Sequence, residues 1–124
     1  MTEASGSVLL VDDNQNVREG LARVLRKSGF AVATAQNGLE ALAALEGNSY
    51  GAIVCDIMMP VMDGIRLYQL IEARHPDAAK HILFVSAWFD DPEVQSFLDR
   101  TGRPVLRKPF EIGDLLKAVR EVTP

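Results

Sequence analysis

The chain alternates short apolar runs with longer segments in which apolar residues recur every three or four positions. Short apolar runs predict buried β-strands, and the longer spacing predicts amphipathic helices. The predicted strands cover residues 8–11, 30–35, 52–55, 82–85 and 105–106. The predicted helices are marked by the apolar residues within 17–25, 39–45, 65–72, 92–98 and 112–122. The pattern therefore predicts five consecutive βα units.

Turn and capping residues support the limits of these helices. Gly29 follows the first helix as a typical C-terminal stop, and Asn37 is a suitable N-cap for the second. Pro76 predicts the end of the third helix, because the residue before a proline disfavours helical backbone. Pro92 suits the first turn of the fourth.

The strand composition predicts the arrangement of the sheet. Continuous apolar strands, rather than alternating ones, indicate a parallel sheet with helices on both faces. Right-handed crossovers then favour an α/β, doubly wound (βα)5 flavodoxin-like sandwich with strand order 2-1-3-4-5 and a crevice between strands 1 and 3. A length of 124 residues indicates one domain over 1–124, of which residues 1–6 are expected to be flexible.

Composition narrows the function classes. The net charge of −4 argues against a nucleic-acid-binding face, which requires clustered basic residues. No apolar run approaches the length of a membrane span, and the first residues lack the basic and apolar regions of a signal peptide. The single cysteine, Cys55, fits a reducing compartment. We therefore expect a cytoplasmic protein that contacts neither nucleic acid nor membrane directly.

Polar residues follow four of the predicted strands. Asp12 and Asp13 come after the first, Asp56 after the third, Ser86 after the fourth, and Lys108 after the fifth. The carboxyl ends of parallel strands lie at one edge of the sheet, where ligands bind in such folds. Three carboxylates, a hydroxyl and an ammonium are therefore expected to converge there.

Carboxylates this close repel one another, and a bound cation relieves the repulsion. Mg²⁺ takes oxygen ligands and commonly joins carboxylates to a phosphate, so it is the predicted metal. Ca²⁺ usually requires more oxygen ligands than this region supplies, and Zn²⁺ is poorly served by one cysteine and two distant histidines.

A carboxylate can act as the nucleophile in phosphoryl transfer and form an acyl phosphate. Lys108 could then pair with one phosphoryl oxygen, and Ser86 could donate a hydrogen bond to another. Each residue alone has an ordinary structural explanation, such as a turn cap for Asp12 or a surface lysine for Lys108. Their joint placement at one edge favours a phosphoacceptor site.

The residues at these strand ends form motifs of a known family. The sequence resembles the receiver domain of two-component response regulators and of hybrid histidine kinases. The resemblance covers almost the whole chain and rests on residues 8–14 (VLLVDDN), 56–64 (DIMMPVMDG), 85–87 (VSA) and 108–110 (KPF).

The resemblance implies a role for each matching residue. Asp56 is the phosphoacceptor, Ser86 the switch hydroxyl and Lys108 the phosphate-pairing lysine. The implied Mg²⁺ ligands are Asp13, Asp56 and the backbone carbonyl of Met58, with Asp12 acting through water. The implied donor is a phosphohistidine on a histidine kinase or phosphotransfer domain, and the bond between Lys108 and Pro109 is expected to be cis. The domain would catalyse its own phosphorylation and dephosphorylation without turning over a separate substrate.

Two regions depart from the family pattern. Val105 stands where many receivers have the aromatic residue that rotates on phosphorylation. The face of the fourth helix, fifth strand and fifth helix, which is the expected signalling and homodimer face, therefore lacks the aromatic half of the usual switch. The turn at 101–104 resembles the corresponding turn in receivers attached to hybrid sensor kinases.

Met58 and Trp88 border the expected route of the hydrolytic water, which predicts slow dephosphorylation. Packing of Trp88 on the surface is the alternative.

Three other functions are open to such a chain. A phosphatase of the haloacid-dehalogenase type would place its nucleophile after strand 1 with a second aspartate two residues on, whereas Asp12 and Asp13 are adjacent. A receiver-like interaction module would control a partner or output domain without phosphorylation. A flavodoxin-like cofactor domain would have to bind a flavin phosphate beside the acid cluster, which repels it.

Overall fold

The computed structural model describes residues 6–87 and 91–124 of the chain. Its strands form one parallel sheet in the order β2-β1-β3-β4-β5, as predicted. The strands are β1 (Ser7–Val11), β2 (Ala31–Ala35), β3 (Ala52–Asp56), β4 (Ile82–Ser86) and β5 (Val105–Arg107). Residues 1–5, part of the segment expected to be flexible, and Trp88 lie outside the described residues.

Six helices connect and follow the strands within the described residues. They are α1 (Gln15–Lys27), α2 (Gly38–Gly47), α3 (Gly64–Arg74), α4 (Pro76–Ala79), α5 (Pro92–Thr101) and α6 (Ile112–Val122). The one-turn helix α4 was not predicted, because four residues are too few to show a helical repeat. Pro76 ends α3 as expected but also begins α4, and the Arg103 side chain donates to the Lys80 carbonyl at 2.6 Å just after it. The fourth and fifth helices predicted from the sequence are therefore α5 and α6.

Side-chain caps begin the helices that leave the carboxyl edge of the sheet. Asn14 accepts from the Val17 amide at 3.0 Å before α1, and Asn37 accepts from the Glu40 amide at 2.8 Å before α2. Asp63 caps α3 in the same way. Such caps each contribute about 1 kcal/mol. They also fix where each loop ends, and these loops surround the cluster of aspartates.

The helices cover both faces of the sheet, so the core has two halves. Strands β3 and β4 are buried along their whole length, as the continuous apolar runs predicted. Alternate strand residues point to opposite faces. One half contains Leu9, Ile53, Phe84, Leu42, Ile71 and Phe97, from β1, β3, β4, α2, α3 and α5. The other half contains Leu10, Val54, Leu83, Leu25 and Leu115, from β1, β3, β4, α1 and α6.

Cys55 and the two histidines are not members of the carboxylate cluster. Cys55 is 1% exposed inside β3, and burial, the largest cause, together with the negative charge of Asp56 raises the pKa of its thiol. His75 and His81 flank α4, at the edge of the sheet opposite the aspartates. Among the described residues, no helix is long and apolar enough to cross a membrane.

Candidate functional site

The pairing of β1 with β3 brings the aspartates together. Val11 pairs with Cys55, so Asp12 and Asp56 follow at equivalent positions on neighbouring strands. Oxygen atoms of Asp12, Asp13 and Asp56 all lie within 4.8 Å of one another. Asp12 is 1% exposed and Asp56 8% exposed, whereas Asp13 is exposed. The three carboxylates therefore converge, as expected, and the structure adds that two of them are buried and Asp13 is exposed.

The pairing of β3 with β4 and of β4 with β5 adds the other two predicted residues. Asp56 pairs with Val85, and Ser86 pairs with Arg107, so Lys108 continues the edge one residue further. Ser86 is fully buried, and its carbonyl accepts from the Lys108 amide at 2.9 Å. The Lys108 side chain thus starts from a backbone position that is tied to β4.

The Lys108 ammonium bridges the two buried carboxylates. Its Nζ lies 3.1 Å from Oδ2 of Asp56 and 3.7 Å from Oδ2 of Asp12. The peptide bond between Lys108 and Pro109 is cis, as the resemblance implied. One ammonium faces three carboxylates, so the cluster keeps an excess of negative charge.

Burial is the main influence on the ionisation of Asp56. It raises the pKa of this carboxyl group, because a charged carboxylate loses hydration inside the protein, and the neighbouring charge of Asp12 adds to the effect. Lys108 and the Met58 amide, which donates to Oδ1 of Asp56 at 3.2 Å, oppose the rise. Burial outweighs the two opposing contacts, so these contacts only partly compensate the negative charge of ionised Asp56.

Asp12 provides the clearest sign that the cluster fits a cation. Its Oδ1 accepts from the Asn14 amide at 2.9 Å, which is the turn-cap role that we considered for this residue. Its Oδ2 is buried and has no hydrogen-bond partner among the described residues. The Lys108 ammonium, 3.7 Å away, offsets part of the charge but is too far for a hydrogen bond, and a buried oxygen without one is costly unless a water or a closer cation satisfies it. The oxygen-only donor set fits a hard cation such as Mg²⁺.

Met58 lies in the loop that leaves β3. Its amide donates to Asp56, and the residue is 42% exposed. The proposed role of its carbonyl as a metal ligand stays a prediction. The shielding of an acyl phosphate by Met58 and Trp88 also stays a prediction, since Trp88 lies outside the described residues.

Three features near the cluster were missed or only partly foreseen. Arg18 of α1 donates to the Asp12 carbonyl at 2.8 Å, and no motif in the sequence pointed to it. Val61 has a φ of 69°, although valine disfavours this conformation. Gly64 approaches the end of β3 closely, since a Cβ there would lie 2.8 Å from Cα of Ile57 and 2.9 Å from the Asp56 carbonyl oxygen.

The fold and this edge of polar strand ends define an α/β receiver-like class of protein, and comparison with known proteins identifies the family. Residues 8–120 match the family model for the response regulator receiver domain. The chain is 39% identical over 116 residues to the transcriptional regulatory protein PrrA of Mycobacterium tuberculosis, covering 94% of this chain and 49% of that protein. It is 36% identical over 125 residues to the sensor kinase CckA of Brucella abortus, covering 98% of this chain and 13% of that protein.

Solved structures agree with this result. A response regulator receiver protein from Pseudomonas putida superposes with a TM-score of 0.85 at 30% identity, covering 97% of this chain and 99% of that one. The chemotaxis protein CheY4 of Vibrio cholerae superposes with a TM-score of 0.82 at 31% identity, covering 94% of this chain and 98% of that one.

The chain belongs to the response regulator receiver domain family. It spans about half the length of PrrA and a smaller part of CckA. Receiver domains of this family act in two-component signalling, which is the function expected from the motifs.

Proposed function

We propose that Asp56 accepts a phosphoryl group from a phosphohistidine and that this modification controls a partner or output domain. The observation that carries the proposal is the contact between Lys108 Nζ and Asp56 Oδ2 at 3.1 Å within a cluster of three carboxylates. Asp56 is central at this edge, because β3 lies in the sheet between β1, which Asp12 follows, and the pair of β4 and β5, which Lys108 follows.

The same carboxylates would hold Mg²⁺. We assign Asp13, Asp56 and the Met58 carbonyl as direct ligands and Asp12 as a ligand through water. Oδ2 of Asp12 accepts no hydrogen bond from the described residues, which supports the last assignment, because a metal-bound water would donate to it. When bound, the ion neutralises the carboxylates and the charge that develops on the transferring phosphoryl group.

The chemistry of the step is a displacement at phosphorus. An oxygen of the Asp56 carboxylate forms a bond to phosphorus, and the bond between phosphorus and the imidazole nitrogen of the donor breaks. Lys108 then pairs with a phosphoryl oxygen in place of part of its contact with Asp56, and the Ser86 hydroxyl donates to another. Both residues start from backbone positions at the ends of strands, which favours a preorganised site. Hydrolysis of the acyl phosphate returns the domain to its starting state, without a separate substrate.

The response to phosphorylation would pass through β4, β5 and α5. Drawing Ser86 and Lys108 toward the new charge would displace the ends of β4 and β5. Val105 pairs with Phe84 in the sheet, and Phe84 packs edge-on to Phe97 of α5 with ring centres 5.3 Å apart. This aromatic contact supports α5 as the responding element although position 105 lacks an aromatic side chain.

The expected partners follow from this mechanism. They are a histidine kinase or histidine phosphotransfer domain as donor, and a linked or separate output domain. Homodimerisation through α5, β5 and α6 is part of the proposal. So is a cytoplasmic location, supported by the single, buried thiol of Cys55. The relatives include both a sensor kinase and a transcriptional regulator, and the turn at 101–104 favours the sensor-kinase context.

Intact mass spectrometry after incubation with acetyl phosphate and Mg²⁺ tests the proposal. Wild type should gain one phosphoryl group, about 80 Da, and Asp56→Asn should gain none. Asp77→Asn is the matched control, since Asp77 is an exposed carboxylate in α4 and should leave the gain unchanged. Absence of the gain in wild type, also with a phosphohistidine donor, would instead favour an interaction module that works without phosphorylation.

A further inference from the structure

The loop between β3 and α3 carries groups that contact Asp56, and its α3 end is fixed by close packing. Gly64 donates its amide to the Ile57 carbonyl at 2.7 Å, and a side chain at Gly64 would collide with the backbone of β3. The Met58 amide, near the other end, donates to the Asp56 carboxylate at 3.2 Å. The position of residues 58–62 therefore influences the geometry of the site.

The middle of this loop has an unfavourable backbone conformation. Val61 has a φ of 69°, and the Met62 amide donates to the Pro60 carbonyl at 2.7 Å, which closes a three-residue γ-turn around Val61. A β-branched residue disfavours positive φ, and such a conformation persists only where the surroundings hold it. The Val61 side chain is 81% exposed, so its own packing does not compensate.

Met62, the residue that follows Val61, packs against the start of α2. Its Sδ lies 2.6 Å, and its Cβ 3.1 Å, from the place where a Cβ on Gly38 would be. Met62 is partly buried and packs against the core half that contains Leu42 and Ile71. The Met62 side chain therefore sits directly on the first residue of α2, and the glycine at position 38 is what leaves room for it.

We propose that Gly38 and Met62 are positioning residues for the site. The packing of Met62 against Gly38 of α2 holds the loop so that the Met58 amide keeps its contact with Asp56. The proposal rests on the metal-binding role that we assign to Asp56 and Met58. It assigns a function to two residues that lie outside the acid cluster itself. Neither residue touches the reacting atoms.

Substitution of Gly38 by alanine tests this directly. The added methyl group would displace the Met62 side chain from its contact with α2. The affinity for Mg²⁺ alone should then fall about tenfold, as it does when other groups that support metal ligands are removed. Titration calorimetry measures this affinity. Gly47→Ala is the matched control, because Gly47 lies in the same helix and a Cβ there would meet no heavy atom of the described residues within 4 Å. Equal Mg²⁺ affinity in the two variants would overturn the proposal.

A double-mutant cycle separates this mechanism from a general effect on α2. Met62→Ala should weaken Mg²⁺ binding by itself, and adding Gly38→Ala to it should cause no further loss, because the displaced side chain is already gone. Additive losses would overturn the proposal. If Gly38→Ala does not fold, Met62→Ala alone still tests the proposal. An unchanged Mg²⁺ affinity in that variant would contradict a positioning role for Met62.

Hydrogen exchange in metal-free protein distinguishes failure of this proposal from failure of the proposed function. Faster exchange of the Met58 amide in Gly38→Ala, but not in Gly47→Ala, supports positioning even if wild type were to bind no Mg²⁺. Failure of wild type to bind Mg²⁺ would count against the proposed function. Unchanged exchange at Met58 would overturn the positioning role.

Discussion

Gly64 offers a direct test of how tightly α3 is packed against the phosphoacceptor strand. A Cβ at this position would lie 2.8 Å from Cα of Ile57, and carbon atoms in ordinary contact are about 3.5 Å or more apart. The backbone of Gly64→Ala must therefore move by about 0.7 Å, the difference between these distances. Both obstructing atoms, Cα of Ile57 and the carbonyl oxygen of Asp56, are backbone atoms, so no side-chain rotation relieves the clash.

The expected loss of stability follows from two opposing contributions. Overpacking costs up to about 3 kcal/mol, and alanine gains up to about 1 kcal/mol over glycine in a helix. The free energy of unfolding of Gly64→Ala should fall by about 2 kcal/mol, which corresponds to a decrease in Tm of about 8 °C for a domain of this size. Urea titration followed by circular dichroism measures this change.

Gly20→Ala is the control for the helix contribution. Gly20 lies in the interior of α1, and in the part of the chain that the structure describes no heavy atom lies within 4 Å of a Cβ placed there. This variant should gain about 0.5–1 kcal/mol. A Gly64→Ala protein as stable as wild type would refute the close approach of α3 to β3, and a destabilised Gly20→Ala would refute the comparison between the two sites.

Three further predictions concern single residues. The pKa of Asp56 is raised in the folded protein, so ionisation of this carboxyl group destabilises the fold. With metal removed by EDTA, the Tm of wild type should therefore fall as the pH rises from the pKa of Asp56 in the unfolded chain to its higher pKa in the folded protein. Asp56→Asn should lose this pH dependence, and its Tm at neutral pH should be higher than that of wild type. An unchanged Tm would contradict the conclusion that the buried charge of Asp56 is only partly compensated. Cys55 should resist an aromatic disulfide reagent in the native protein and react once urea unfolds it, since it is 1% exposed and its thiol pKa is raised; rapid native labelling would argue against this packing. Val61→Asn should raise the free energy of unfolding by about 1 kcal/mol in urea titrations, because asparagine tolerates positive φ better than valine, whereas a loss of stability would mean that Val61 is not strained.

The fold was predictable because its main signals are local. Continuous apolar runs such as residues 52–55 and 82–85 indicate strands buried on both faces, and parallel strands restrict the connections between them. Helix limits at Asn37 and Pro92 also follow from the chemistry of single residues. The helix α4 was missed because its start at Pro76 has the same sequence signal as the end of α3.

The composition of the site was also predictable, and its geometry was not. The sequence by itself determined which polar residues end the strands, because strand ends are marked by where apolar runs stop; Asp12, Asp56 and Lys108 were identified in this way. Only the tertiary structure decided that Lys108 contacts both Asp12 and Asp56, and that one oxygen of Asp12 has no hydrogen-bond partner among the described residues.

Only the tertiary structure also showed that Val61 has a positive φ and that Met62 packs against Gly38. These features arise from contacts between segments distant in sequence, where packing overrides the conformational preference of the individual residue. Local residue chemistry therefore specifies the elements and the inventory of the site, and long-range packing specifies the distances on which its function depends.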